Sequence, residues 1–175
     1  MIRAAASTQT LGGLLEITSL NLMHPQKSLT FHFDSLEREG ALDEHWEILL
    51  HVIADFSILV DSKVLYCEQQ FCVVEFALDI SGWLNRVHRN GEDFIYTSME
   101  SEEIGLVWIK SSDSGWRIGS VHQEYEETNI FSLEEIRDAA EQFLDQLGAE
   151  MSAKFGIGLR EFISNELNAA GNAAT

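Results

Sequence analysis

Proline is almost missing from this chain: Pro25 is the single example in 175 residues. Cysteine occurs twice, at Cys67 and Cys72, and Lys plus Arg number only 11 against 29 Asp and Glu, for a net charge of -18. Each scarcity excludes something. Two cysteines with four residues between them make neither a disulfide framework nor a CxxC metal or redox motif. Cys72 opens an apolar helical pattern, which predicts a buried structural thiol. No apolar run reaches the roughly 18 residues of a membrane-spanning helix. The start, Met1-Ile2-Arg3-Ala4-Ala5-Ala6-Ser7, lacks the apolar core of a signal peptide. The expectation is a cytoplasmic chain with free thiols and no metal or other cofactor.

The shortage of bases bears on partners. Phosphate backbones are bound by Lys and Arg that displace counterions, so nucleic acid is not expected as a ligand. Anionic membrane surfaces are disfavoured for the same reason. A basic protein, a basic peptide or a cation is the natural complement, although net charge of this size also serves solubility alone. Catalytic signatures are missing too. The chain has no GxxxxGK[ST], HExxH or GxSxG, and no GxGxxG after a strand. Gly156-Ile157-Gly158 follows a helix and reads as its terminating turn.

What is present can build a core, with 45% hydrophobic residues, ten Phe and four Trp. The length fits one domain, residues 1–175, with loose tails at about 1–10 and 168–175. No repeat or linker divides it. Leu14–Met23 reads as a strand and Asn21–Ser28, with Pro25, as a turn. Leu29, Phe31 and Phe33 alternate with Thr30, His32 and Asp34, the period of a half-buried strand. Trp46, Ile48, Leu50, Val52, Ala54, Phe56, Ile58 and Val60 alternate over eight positions and predict one long strand, although Leu49, Leu50 and Ile53 also fit a helical stripe in its first half. Asp61-Ser62-Lys63 is a turn, and Val64–Cys67 returns.

From Phe71 to Val87 the period changes. Phe76, Ile80 and Trp83 form a stripe widened by Val73, Ala77 and Leu84, which predicts a buried helix closed by Asn90-Gly91. Phe94–Met99, Leu106–Lys110 and Trp116–Tyr125 follow as strands, with Ser112-Asp113-Ser114-Gly115 as a hairpin loop. Ser132 and Glu135 form a capping box, with Phe131 and Ile136 placed for a hydrophobic staple. A helical stripe runs to Met151, and Leu159–Leu167 reads as a second short helix. Strands, helix, strands, helix is the order of an α+β fold, with a mainly antiparallel sheet and helices on one face.

The candidate site residues are acidic and aromatic. Glu100, Glu102 and Glu103 lie in a loop between strands, where binding groups concentrate. Glu124, Glu126 and Glu127 end the next strand region, beside Tyr125; Trp116 begins it. Trp and Tyr dominate binding hot spots. Two weaker pairs, His51 with Asp55 and His122 with Glu124, have the spacing of a carboxylate-tuned general base or of a metal half-site.

The stretches Phe71-Cys72-Val73-Val74-Glu75-Phe76-Ala77-Leu78, Trp83-Leu84, Asp93-Phe94-Ile95-Tyr96-Thr97-Ser98-Met99, Leu106-Val107-Trp108-Ile109 and Gly115-Trp116-Arg117-Ile118-Gly119-Ser120 resemble an uncharacterised family of small bacterial domains, over residues 45–150. In size and charge the chain is also similar to immunity proteins of bacterial toxin systems. That resemblance implies a protein that binds a cognate toxin domain and blocks it, and it transfers no functional residue. The reading is a non-catalytic inhibitor whose acidic loops meet a basic cleft. The alternatives are an oligomeric scaffold or small-ligand module with a pocket between sheet and helices, and an enzyme using one of the His/carboxylate pairs. A homo-oligomer is compatible with either binding reading.

Overall fold

The computed structural model describes residues 27–173. The expected strand Leu14–Met23 and the Pro25 turn lie outside them. The elements run β1 (Leu29–Arg38), α1 (His45–His51), β2 (Val52–Val60), β3 (Lys63–Phe71), α2 (Val73–Asn90), β4 (Phe94–Tyr96), β5 (Val107–Ser112), β6 (Gly115–Gly119), α3 (Leu133–Phe155) and α4 (Leu159–Ala173). They form two antiparallel three-stranded sheets, ordered β1-β2-β3 and β4-β5-β6. The fold is α+β.

The first sheet follows the alternation closely. Phe31 and Phe33 are buried while Thr30, His32 and Asp34 are exposed. On β2, Val52, Ala54, Phe56, Ile58 and Val60 all point into the core. Asp61 and Ser62 close the β2–β3 hairpin with φ of 49° and 65°, the pair of positive values that a tight twisted hairpin needs. The Ser28 N–H donates to Asp61 Oδ1 at 2.9 Å, and the Asp61 N–H donates back to the Ser28 carbonyl at 2.9 Å.

One expectation fails here. Residues 45–51 are helix, not the first half of a long strand. Glu47 decides it: its carboxylate accepts the N–H groups of Asp43 and Glu44, both at 2.8 Å. Those donors lie at the helix start and have no intrahelical partner, so an acceptor there favours the helix. Trp46 shows that the alternation was fortuitous, since it is 53% exposed.

α2 carries the stripe expected of it. Phe76, Ala77, Ile80, Trp83, Leu84 and Val87 are buried, and Gly91 ends the helix. Phe76 lies at the centre of the core. Its ring packs at 5.1 Å from Phe56, 5.3 Å from Tyr96, 5.6 Å from Phe143 and 5.7 Å from both Phe31 and Phe71. One side chain therefore touches both sheets and α3. The capping box at Ser132 and Glu135 forms as expected, with the Ser132 N–H donating to Glu135 and the Glu135 N–H to Ser132.

β6 is shorter than the expected Trp116–Tyr125 strand. It ends at Gly119, and residues 120–130 form neither helix nor strand before Phe131 pairs with Trp116. The return passes so close to the hairpin that a methyl on Gly115 would stand 2.6 Å from the Phe131 carbonyl oxygen. Only glycine fits there. β4 is likewise three residues long, and α4 extends to Ala173 instead of stopping at Leu167.

Two measurements test this core. Phe76→Ala removes the ring shared by both sheets and is expected to cost about 3–5 kcal/mol in chemical denaturation. A loss under about 1 kcal/mol, the scale of a well-tolerated core change, would show that Phe76 is not the central contact. The thiols give the second. Cys67 is exposed, whereas Cys72 is buried and its thiol is pushed up to about 11, first by burial and then by the nearby carboxylates of Glu75, Glu100 and Glu68, against a lowering hydrogen bond with Ser98. The thiolate is the reactive form, so a thiol reagent at neutral pH should titrate Cys67 alone in the native protein and both cysteines in denaturant.

Candidate functional site

The base of the site is built by Glu75 in the first turn of α2. An acid there suits the positive helix end, but its carboxylate does not reach back to cap the helix. It turns to the second sheet. Tyr96 Oη donates to Glu75 Oε2 at 3.0 Å, Ser98 Oγ to the same oxygen at 2.7 Å, and the Met99 N–H to Oε1 at 2.9 Å. Glu75 and Ser98 are both buried. Burial, and then the Glu75 carboxylate, push the Tyr96 hydroxyl above its ordinary value, so it remains a donor. A buried carboxylate without a cation is tolerable only when such donors surround it. Glu75 thus fixes the exit of β4 and the start of the loop that follows.

That loop, residues 97–106, carries Glu100, Glu102 and Glu103. All three are exposed. The Glu100 N–H donates to Ser98 Oγ at 3.2 Å, and the Glu103 N–H to Ser101 Oγ at 3.1 Å, so short serine side chains shape the loop from within. The segment after β6 is tied to it. The Val121 N–H donates to the Gly105 carbonyl at 3.2 Å, and His122 Nε2 pairs with Glu103 Oε2 at 2.5 Å. β4 and β6 are not neighbours in the sheet, yet their loops meet at one end of it.

The rest of the expected set is spread out. Glu124 and Glu126 are exposed, and the Glu124 N–H donates to the Leu65 carbonyl on β3 at 2.7 Å. Tyr125 is half-buried beneath Lys63, whose Nζ stands 3.5 Å from the ring centre. Glu127 is buried and accepts the Asn129 N–H at 2.6 Å; its carbonyl holds Arg117 at 2.8 Å. Trp116 is half-buried and faces α2, edge to face with Trp83 at 5.5 Å. The molecule therefore groups Glu100, Glu102 and Glu103 with His122, while Trp116 and Glu127 turn inward.

Neither His/carboxylate pair converges. His51 Nδ1 meets the Ala41 carbonyl at 3.3 Å, whereas Asp55 lies on the outer face of the first sheet, opposite Asp34. His122 takes Glu103 instead of Glu124. Among the described residues no three His, Cys, Asp or Glu side chains come together as a metal centre requires. A cavity of about 290 Å³ lies between α2, α3 and α4, and an open one of about 350 Å³ lies between β1 and α3, lined by Leu29, Thr30, Glu135 and Asp138. In the first, Arg160 faces the space. That Arg160 is already held by Glu141 at 2.6 Å and Asp145 at 2.8 Å.

Residues 29–153 match a family described as a domain of unknown function, DUF7878. The chain belongs to this family. No curated protein and no solved structure matches the chain. The DUF7878 segment contains Glu75, both loops and His122, whereas α4 lies beyond it.

Sequence reasoning missed Glu75 and the Glu103–His122 pair. A buried acid at the third position of a helix has no distinct pattern, and the pair joins residues 19 positions apart across two loops. Glu75→Gln tests the first. Its amide oxygen can still accept from Tyr96 and Ser98, but its NH2 would confront the Met99 N–H. Leaving that donor unpaired should cost about 1–3 kcal/mol and speed hydrogen exchange at Met99. Unchanged stability with unchanged Met99 exchange would show that the carboxylate does not hold the loop.

Proposed function

We propose that this DUF7878 domain is a non-catalytic protein-binding module that engages a basic protein, in the manner of an immunity-type inhibitor neutralising a toxin. The observation that carries the reading is the loop of residues 97–106. Three exposed glutamates stand on a loop braced at its base by buried Glu75 and at its side by His122. Preorganised charge of one sign repels itself in the free protein and is relieved by a cationic partner. It also steers encounter, raising association rate more than affinity. The chain's charge of -18 extends the same field. Among the described residues no helix is long and apolar enough to cross a membrane. A bacterial toxin as the partner rests on the resemblance alone, and a cytoplasmic location is part of this proposal.

The test uses the full chain as bait in extract of its native host, with the Glu102→Lys/Glu103→Lys double variant beside it. Wild type should retain a basic protein, identified by mass spectrometry. The double variant should then associate with it several-fold more slowly and with a flatter dependence on ionic strength, with circular dichroism unchanged. Exposed charge pairs are individually worth about 0–1 kcal/mol, so the double variant is the fair comparison. Equal rates and equal salt slopes would reduce the loop to a solvated surface and sink the proposal.

A further inference from the structure

The second sheet has two faces, and only one is accounted for by the fold. Phe94, Tyr96, Val107, Ile109 and Ile118 point into the core and are buried. The opposite face should be polar if water alone covers it. It is not. Ile95 is paired with Trp108 across the β4–β5 ladder and is 44% exposed. Val121 is 50% exposed and Ile104 73%. A methyl placed on Gly105 would touch Val121, Ile95 and Trp108 at 3.7–3.9 Å, so these side chains surround one glycine. Ile104 is its chain neighbour. The Trp108 indole packs directly against Gly119, where any Cβ would stand 2.1 Å from the ring. An exposed apolar patch rimmed by polar groups marks a contact surface.

The rim is acidic at the loop end, where Glu102 and Glu103 precede Ile104. The cations of this face, Lys110 and Arg117, lie opposite one another two residues along the strands from Trp108 and Gly119; the Lys110 ammonium stands 4.9 Å from the centre of the Trp108 ring, and Arg117 donates to the Glu127 carbonyl. We infer that this face seats an apolar side chain of a basic protein segment: Ile95, Ile104, Trp108 and Val121 take the apolar group, while Glu102 and Glu103 take flanking Lys or Arg. The inference rests on the proposed function and names the anchor that the acidic loop only steers. A second copy is the weaker occupant. Two chains of -18 repel, and a two-fold contact on this patch would crowd the same glutamates together.

Three capped hexapeptides serve as probes for the full-length, isotope-labelled chain: Lys-Lys-Leu-Phe-Lys-Lys, Lys-Lys-Ser-Ser-Lys-Lys and Glu-Glu-Leu-Phe-Glu-Glu. The first should shift the methyl signals of Ile95, Ile104 and Val121 saturably, with a Kd about tenfold below that of the serine peptide, which corresponds to about 1.4 kcal/mol. The acidic peptide should leave them unmoved. Ile104→Ser and Val121→Ser, both at exposed positions, should each remove most of that advantage at unchanged melting temperature. If the serine peptide binds as well as the first, the apolar seat is wrong and the electrostatic reading stands. If neither cationic peptide binds, both fall. Nuclear Overhauser contacts from residues 11–23 to Ile104 or Val121 would make the chain itself the occupant, and concentration-dependent shifts in the free protein would make it a second copy. Either result overturns the inference.

Discussion

The contact on which the rest of this structure depends is the packing around Phe76. Two three-stranded sheets of this size cannot each bury enough apolar surface to stand alone. They share one core because α2 drives a single aromatic ring between them. Phe31, Phe56 and Phe71 reach it from the first sheet, Phe94 and Tyr96 from the second, and Phe143 from α3. Phe56 and Phe71 stack at 4.4 Å beside it. Edge-to-face and offset contacts of this kind contribute beyond simple burial, and they fix how the second sheet sits against the helix.

That placement gives the neighbouring residue its role. Glu75 precedes Phe76 and points away from the aromatic cluster, toward the end of β4. With the second sheet held by Phe76, Tyr96, Ser98 and the Met99 N–H arrive within hydrogen-bond distance of its carboxylate. An ordered acidic loop follows. The core and the exposed loop are thus coupled through two adjacent side chains of one helix turn. On the outer face of the same sheet, Trp108 can pack against position 119 only because it is glycine.

Local pattern was enough for much of the architecture. The period-2 run of β1, the Asp61-Ser62 turn, the stripe of α2 with its Asn90-Gly91 stop, and the Ser132–Glu135 box were all readable, because each is decided by neighbours within about four positions, the reach of strand alternation, helix faces and caps. The exception at residues 45–51 is instructive. Trp46, Ile48 and Leu50 mimic a strand, and the winning signal was a polar one, Glu47 three residues after Glu44.

Of the candidate site, the exposed acids Glu100, Glu102 and Glu103 were legible as residues in a loop, but their setting was not. The chain by itself determined an acidic α+β domain rich enough in aromatics to build a core, free thiols at Cys67 and Cys72, and an acid-rich loop after β4. Only the tertiary structure decided that Trp116 and Glu127 turn inward, that His122 meets Glu103, that Glu75 braces the loop, and that Ile95, Ile104, Trp108 and Val121 share an outward face. The physical reason is sequence distance. Periodicity assigns a side chain to a face of its own element, but which face meets the core and which loops touch depend on how separate elements pack, and that is set by contacts between residues far apart in the chain.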